Sequence, residues 1–224
     1  TVTFLGAENT LWITREGTNV LEKFEPSLRA EISSRTNALK KNSKAFDVTE
    51  KTSIASNIYI HDQREVKKMV ATLDGVKGIE GLALDDGNYQ TLSGDVLTIT
   101  SPSLPDNIPY TMPYKGGHYG QYLESSILIQ KDDPAIARQA KKIVNGETNP
   151  VLAVKLINDW TYNNIEKIPT VSVPNAAQVL RTMEGDCNEH AVLFAALTRA
   201  SGIPVKVILG VVYLEGRFYY HAWN

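Results

Sequence analysis

Residues 184–204 read EGDCNEHAVLFAALTRASGIP and hold Cys187, the single cysteine of a 224-residue chain. Asp186 precedes it and Glu189 stands three positions after Asp186. That is capping-box spacing, which predicts a helix with Asp186 as N-cap and Cys187 as its first residue. From Ala191 to Ala200 the segment is apolar on almost every side, and Gly202 and Pro204 close it. A helix apolar all round is a buried one. The stretch therefore reads as a rigid core element with a thiol at its rim. The unpaired N–H groups and the positive dipole end at a helix start favour the thiolate and lower a cysteine pKa. Asp186 opposes this by like charge, so a second, positive partner is needed to settle the balance.

Histidine is the natural partner, and the chain has four. His61 and His118 lie far upstream, and His190 shares the cysteine helix. His221 follows a strand pattern, VKVILGVVY, and begins no helix of its own. If Glu215 and Gly216 form a two-residue hairpin turn, Leu214 pairs with Arg217 and Gly210 falls opposite His221. On the returning strand Tyr219, His221 and Trp223 share one face, while Phe218, Tyr220 and Ala222 share the other. The glycine is expected to leave space above the imidazole, and the aromatic neighbours to line a groove.

Upstream of this unit the pattern is helical. DDPAIARQAKKIVNG has Asp133 as N-cap, Pro134 at the first helical position and Gly146 as a stop, with Ile136, Ala140, Ile143 and Val144 on one face. NPVLAVKLINDWTYNNI starts in the same way at Asn149–Pro150, with Leu152, Leu156, Ile157 and Trp160 as its expected apolar stripe. NAAQVLRTMEG reads as a shorter helix stopped by Gly185. Helices followed by antiparallel strands define an α+β half.

The first hundred residues differ. TVTFL, TLWIT, TNVLEKF, SIASNIYIH, GLAL before Asp85-Asp86-Gly87, and DVLTIT are short β-branched runs separated by turn residues, as in antiparallel sheet. PSLRAEISSRTNALKK and REVKKMVATL fit helix and strand alike. Residues 101–117, SPSLPDNIPYTMPYKGG, carry four prolines and two glycines, which suits a linker or extended connection. The expected organisation is a mainly antiparallel β domain over residues 1–115 and a second domain over residues 116–224.

Composition narrows the chemistry. With 42% apolar residues the chain can bury a core. Lys and Arg number 23 against 25 Asp and Glu, a net charge of -2, which provides no basic stripe for nucleic acid or anionic lipid. No run approaches the roughly 18 apolar residues of a membrane span. A lone cysteine cannot close an internal disulfide, so the thiol is buried and inert, reactive, or metal-bound. Zinc on Cys187, His190 and His221 is a poor fit, because CxxC and HExxH spacings are absent. No metal and no cofactor is expected. The chain opens at Thr1 without a signal-like segment; removal of a signal peptide ahead of it would place the protein outside the cytoplasm.

GDCNEHAVLFAALTRASGIPVKVILGVVY followed by FYYHAWN resembles the transglutaminase-like superfamily, a circularly rearranged relative of the papain-like cysteine proteases. The resemblance spans residues 119–224 and does not extend to the first half. It implies a papain-like core in which Cys187 is the nucleophile and His221 its base. It also implies an aspartate on the next strand to complete a triad. The chain ends at Asn224 before such a residue, so the core is expected to be incomplete at that end. Asn224 itself, an odd number of positions from His221, points to the other face and is no substitute. The implied reaction is acyl transfer on an amide of a protein or peptide substrate through a thioester, with hydrolysis favoured over transfer to an amine. Backbone N–H groups at the helix start would hold the oxyanion, with Trp160 or Tyr162 as candidate further donors and Trp223 in the groove. The competing expectation is a binding module that keeps the fold without turnover.

Overall fold

The computed structural model describes residues 2–4, 7–15, 19–24, 28–34, 36, 53–74, 84, 89–101, 108, 110–168 and 174–224. Within these residues the first half is built from antiparallel strands. β1 (Val2–Phe4), β2 (Ala7–Ile13), β3 (Asn19–Phe24) and β4 (Leu28–Glu31) pair in sequence order as a meander. The short β5 (Ile54–Ala55) precedes a second sheet in which β8 (Val96–Thr100) lies between β6 (Lys68–Thr72) and β7 (Gln90–Ser93). The two ambiguous segments thus contribute strands, β4 from the first and β6 from the second. Along β6 the exposure alternates with the period of two that a sheet with one covered face requires. The expected GLAL strand and its Asp85-Asp86-Gly87 turn fall mostly outside the described residues.

Residues 110–117 form no helix or strand, yet they are tied to the helical half. Met112 N–H donates to the Thr148 carbonyl at 3.1 Å and Tyr114 N–H to the Gly202 carbonyl at 2.8 Å. Gly202 is in the left-handed region at φ 79°. A Cβ there would collide with Pro113, so this close approach needs glycine.

Four α-helices follow among the described residues. α1 (Pro134–Val144) is capped by Asp133, whose side chain accepts from Ala135 and Ile136 N–H, and it ends at Asn145 in the left-handed region. Ile136, Ala140 and Val144 are buried on its inner face, as the sequence predicts. α2 (Pro150–Asn164) is capped by Asn149, but its buried row is Pro150, Ala153, Ile157 and Thr161. Leu152 and Leu156, expected in the stripe, are 49% and 42% exposed. The small residues lie on the buried face, and the Thr161 hydroxyl is satisfied by donating to the Ile157 carbonyl at 2.8 Å. α3 (Ala176–Thr182) is capped by Asn175 and stops at Met183, which takes the left-handed conformation at φ 54°. The stop is therefore Met183 and not Gly185.

α4 (Cys187–Ala200) is the central element. α1, α2 and α3 all pack on it, and Leu193, Ala195, Ala196 and Leu197 have no exposed surface. At its far end the Arg199 guanidinium donates to the Val205 and Glu124 carbonyls. Two-residue strands β9 (Glu166–Lys167) and β10 (Glu184–Gly185) pair in parallel and tie the end of α2 to the residues before Cys187. β11 (Ile208–Leu214) and β12 (Arg217–Trp223) form the hairpin. Glu215 and Gly216 both have positive φ, 47° and 84°, as a type I′ turn needs. Leu214 pairs with Arg217 and Gly210 with His221, in the register read from the sequence. β5 pairs with the start of β12, a contact that crosses the 115/116 division. The C-terminal half is thus α+β, with helices gathered on one core helix and a sheet beside it.

Candidate functional site

The start of α4 has the predicted cap. Asp186 accepts from Asn188 N–H at 3.2 Å, and its own N–H donates to the Glu189 carboxylate at 3.0 Å. Glu189 is 4% exposed. Its side chain folds back over Gly185, where φ is 153° and a Cβ would collide with the Glu189 Cβ and Cγ. Gly185 therefore makes the capping box possible. His190 Nδ1–H donates to the Asp186 carbonyl at 2.6 Å, and its buried Nε2 has no partner among the described residues.

Cys187 is half-buried. Its sulfur faces the backbone N–H of Ala222 on β12, together with those of Asn188 and Cys187 itself. Burial pushes the thiol above its ordinary range, the Ala222 N–H opposes this, and Asp186 adds to the rise. The balance left open between the helix start and Asp186 thus falls on the side of the thiol, because removal of the sulfur from water outweighs the backbone donors.

The Ala222 nitrogen belongs to the peptide bond that follows His221, so covalent geometry sets the His221 Cα about 2.5 Å from it. Cys187 and His221 are thereby neighbours through one peptide unit. Among the described residues no hydrogen bond joins their side chains. Ala222 is buried, and α4 packs against β12. The exposed His221 occupies the other face with Tyr219 and Trp223. Asn224 Nδ2 donates to the Ala191 carbonyl at 3.2 Å, fastening the end of the strand to α4.

Trp223 stacks on His221 with ring centroids 6.3 Å apart and planes 22° apart. Its six-membered ring also lies over Gly210, where a Cβ would be 2.6 Å from Cη2. The space above the glycine, expected to receive the imidazole, is filled by the indole. Trp160 is packed against the helical core. Tyr162 is 61% exposed, with the Lys167 ammonium 4.1 Å from its ring centre. Neither is hydrogen-bonded to Cys187 or His221. A cleft of about 450 Å³ is lined by Tyr110, Tyr119, Tyr122, Pro204, Val205 and Lys206. It lies at the opposite end of α4, about 20 Å from the thiol by helix rise. The Ala222 amide and the Trp223–Gly210 contact were not found from sequence, although the alternation along FYYHAW already put Gly210 and Trp223 on one face.

The sequence model of the Transglutaminase-like superfamily matches residues 137–224. The matched stretch is thus similar to that superfamily, and it holds Cys187 at its helix start and His221 on its hairpin. The chain is similar to an uncharacterized protein of Haemophilus influenzae, 30% identical over 112 residues, which are 48% of this chain and 29% of that protein. Among solved structures it is similar to a Cytophaga hutchinsonii protein provisionally designated a cysteine protease. That match has 21% identity and a TM-score of 0.45, over 60% of this chain and 55% of that one. A Parabacteroides distasonis protein provisionally designated a protease matches at 19% identity and a TM-score of 0.33, over 55% of this chain and 28% of that one. The chain thus spans less than two thirds of the length of each of these three proteins. Among the described residues no helix is long and apolar enough to cross a membrane.

Proposed function

We propose that the protein performs cysteine-dependent acyl transfer on amide bonds of a protein or peptide substrate. Residues 116–224 carry the chemistry, and residues 1–115 form a β-rich unit that meets them through β5. The supporting observation is the position of the Cys187 sulfur, at the start of a buried helix and on the amide that follows His221. Because burial disfavours the thiolate, attack requires a base, and His221 takes the Sγ proton as sulfur adds to the carbonyl carbon. The oxyanion is met by backbone N–H groups at the helix start, that of Cys187 among them. Trp160 and Tyr162 are the candidate side-chain donors and Trp223 a groove residue. When the tetrahedral species collapses, the C–N bond breaks and the imidazolium proton leaves with the amine. A thioester remains. Water resolves it to a carboxylic acid and free thiol, or an amine resolves it to a new amide.

The test is acylation by p-nitrophenyl acetate. Wild-type protein should release a burst of nitrophenolate and carry one acetyl group on Cys187 by mass spectrometry. Cys187→Ala should give no burst, and His221→Ala should acylate about a hundredfold or more slowly. Equal acylation of His221→Ala and wild type would overturn the pairing. Peptide binding by wild-type protein without any acylation would make this a binding module on the same fold.

A further inference from the structure

A glycine in the middle of a strand weakens it and often marks a place where another group approaches closely. Gly210 is such a residue. Its direct cross-strand partner is His221, and the group that approaches is the indole of Trp223, two residues further along β12. Diagonal neighbours in an antiparallel pair are within reach of an aromatic side chain. The reach here is tight, since any Cβ at residue 210 would stand 2.6 Å from Trp223 Cη2 and 3.2 Å from Cζ3. Seated in that slot, the indole lies nearly parallel to the His221 ring, an offset-stacked geometry for which a 6.3 Å separation is ordinary.

Among the described residues the His221 ring has no hydrogen-bond partner, and His221 is exposed. The indole is then the contact that restricts the ring. One face is closed by Trp223, leaving the ring edge as the route for a proton. We propose that Trp223 is a positioning residue for His221, and that Gly210 is the slot that lets it take that position. This inference rests on the reading of Cys187 and His221 as nucleophile and base. It assigns to Trp223 a role towards the base in addition to any contact with substrate.

The test combines the nitrophenyl acetate assay with proton NMR of the His221 imidazole across pH, on wild type, Trp223→Ala, Trp223→Phe, Gly210→Val and His221→Ala. Stacking on an indole displaces the imidazole carbon-bound proton signals through the ring current. Trp223→Ala and Gly210→Val should both lose that displacement, and their acylation rates should fall on the order of tenfold to a hundredfold, the scale of a misplaced catalytic group. Trp223→Phe, which can still stack, should retain part of the displacement and stay within about threefold of wild type. Trp223 is 39% exposed, so its truncation spares the core, and far-UV circular dichroism checks that each variant is folded. The proposal is overturned if His221→Ala is slow while folded Trp223→Ala acylates like wild type, or if the imidazole signals do not move in Trp223→Ala. If instead His221→Ala acylates like wild type, the nucleophile–base pairing fails, and a positioning role for that base fails with it.

Discussion

Replacing Gly185 with alanine should destabilise the start of the cysteine helix more than a single methyl group suggests. Two costs combine. At φ 153° a residue with a Cβ is in sparsely populated backbone space, at a cost of about 1–3 kcal/mol. The new Cβ also occupies the place of the Glu189 Cβ and Cγ. Glu189 must then withdraw, and the Asp186 N–H loses its acceptor. Loss of a cap is worth about 0.5–2 kcal/mol, so the expected total is about 2–4 kcal/mol. For a chain of this size that lowers the melting temperature by roughly 5–15 °C. Denaturation in urea followed by far-UV circular dichroism would measure it. A double-mutant cycle with Glu189→Ala isolates the cause. With the Glu189 carboxylate already removed, Gly185→Ala should cost its backbone share and the remaining Cβ contact but no cap, leaving a coupling of about 1 kcal/mol. A Gly185→Ala protein within about 0.5 kcal/mol of wild type would refute the backbone reasoning. Equal costs in both backgrounds would refute the role given to Glu189.

Two further outcomes follow from packing and charge. Leu197→Ala removes a side chain with no exposed surface and should cost about 2–5 kcal/mol, whereas Leu152→Ala and Leu156→Ala should each stay within about 0.5 kcal/mol of wild type; large losses at the latter two would restore the stripe predicted from sequence. Asp186→Asn keeps a good N-cap but removes the like charge that, after burial, raises the Cys187 thiol. The thiol should then ionise at lower pH, so the rise of the iodoacetamide rate with pH should move down; an unmoved curve would show that the sulfur does not sense that carboxylate.

What was legible in the sequence is what depends on near neighbours. The Asp186–Glu189 cap, the all-round apolar α4 and the Glu215–Gly216 turn each follow from residues within a few positions of one another. The turn then sets the whole β11–β12 register. The misread features depend on partners distant in the chain. In α2 the largest apolar residues were assigned inward, but the buried row is Pro150, Ala153, Ile157 and Thr161, and which row faces the core is set by the helices that pack on α2, which lie elsewhere in the chain. β5 joins β12 across more than half the chain, a pairing that two residues of local pattern cannot announce. For the thiol, the helix-start donors and Asp186 are local and visible, whereas the burial that outweighs the donors comes from tertiary packing.

Gly210 shows the same limit inside a correctly read hairpin. The register placed it opposite His221, and a gap opposite a histidine suggests room for the histidine. Side chains on a strand stand roughly perpendicular to the sheet, so an imidazole directly opposite the gap has no reason to lean across it, whereas a longer side chain two residues away can reach it diagonally. Trp223 is the larger of the two same-face neighbours of His221, and burying part of an indole against backbone removes more apolar surface from water than burying the imidazole would. The gap is thus filled by the residue that gains most from it, and the histidine keeps an exposed edge.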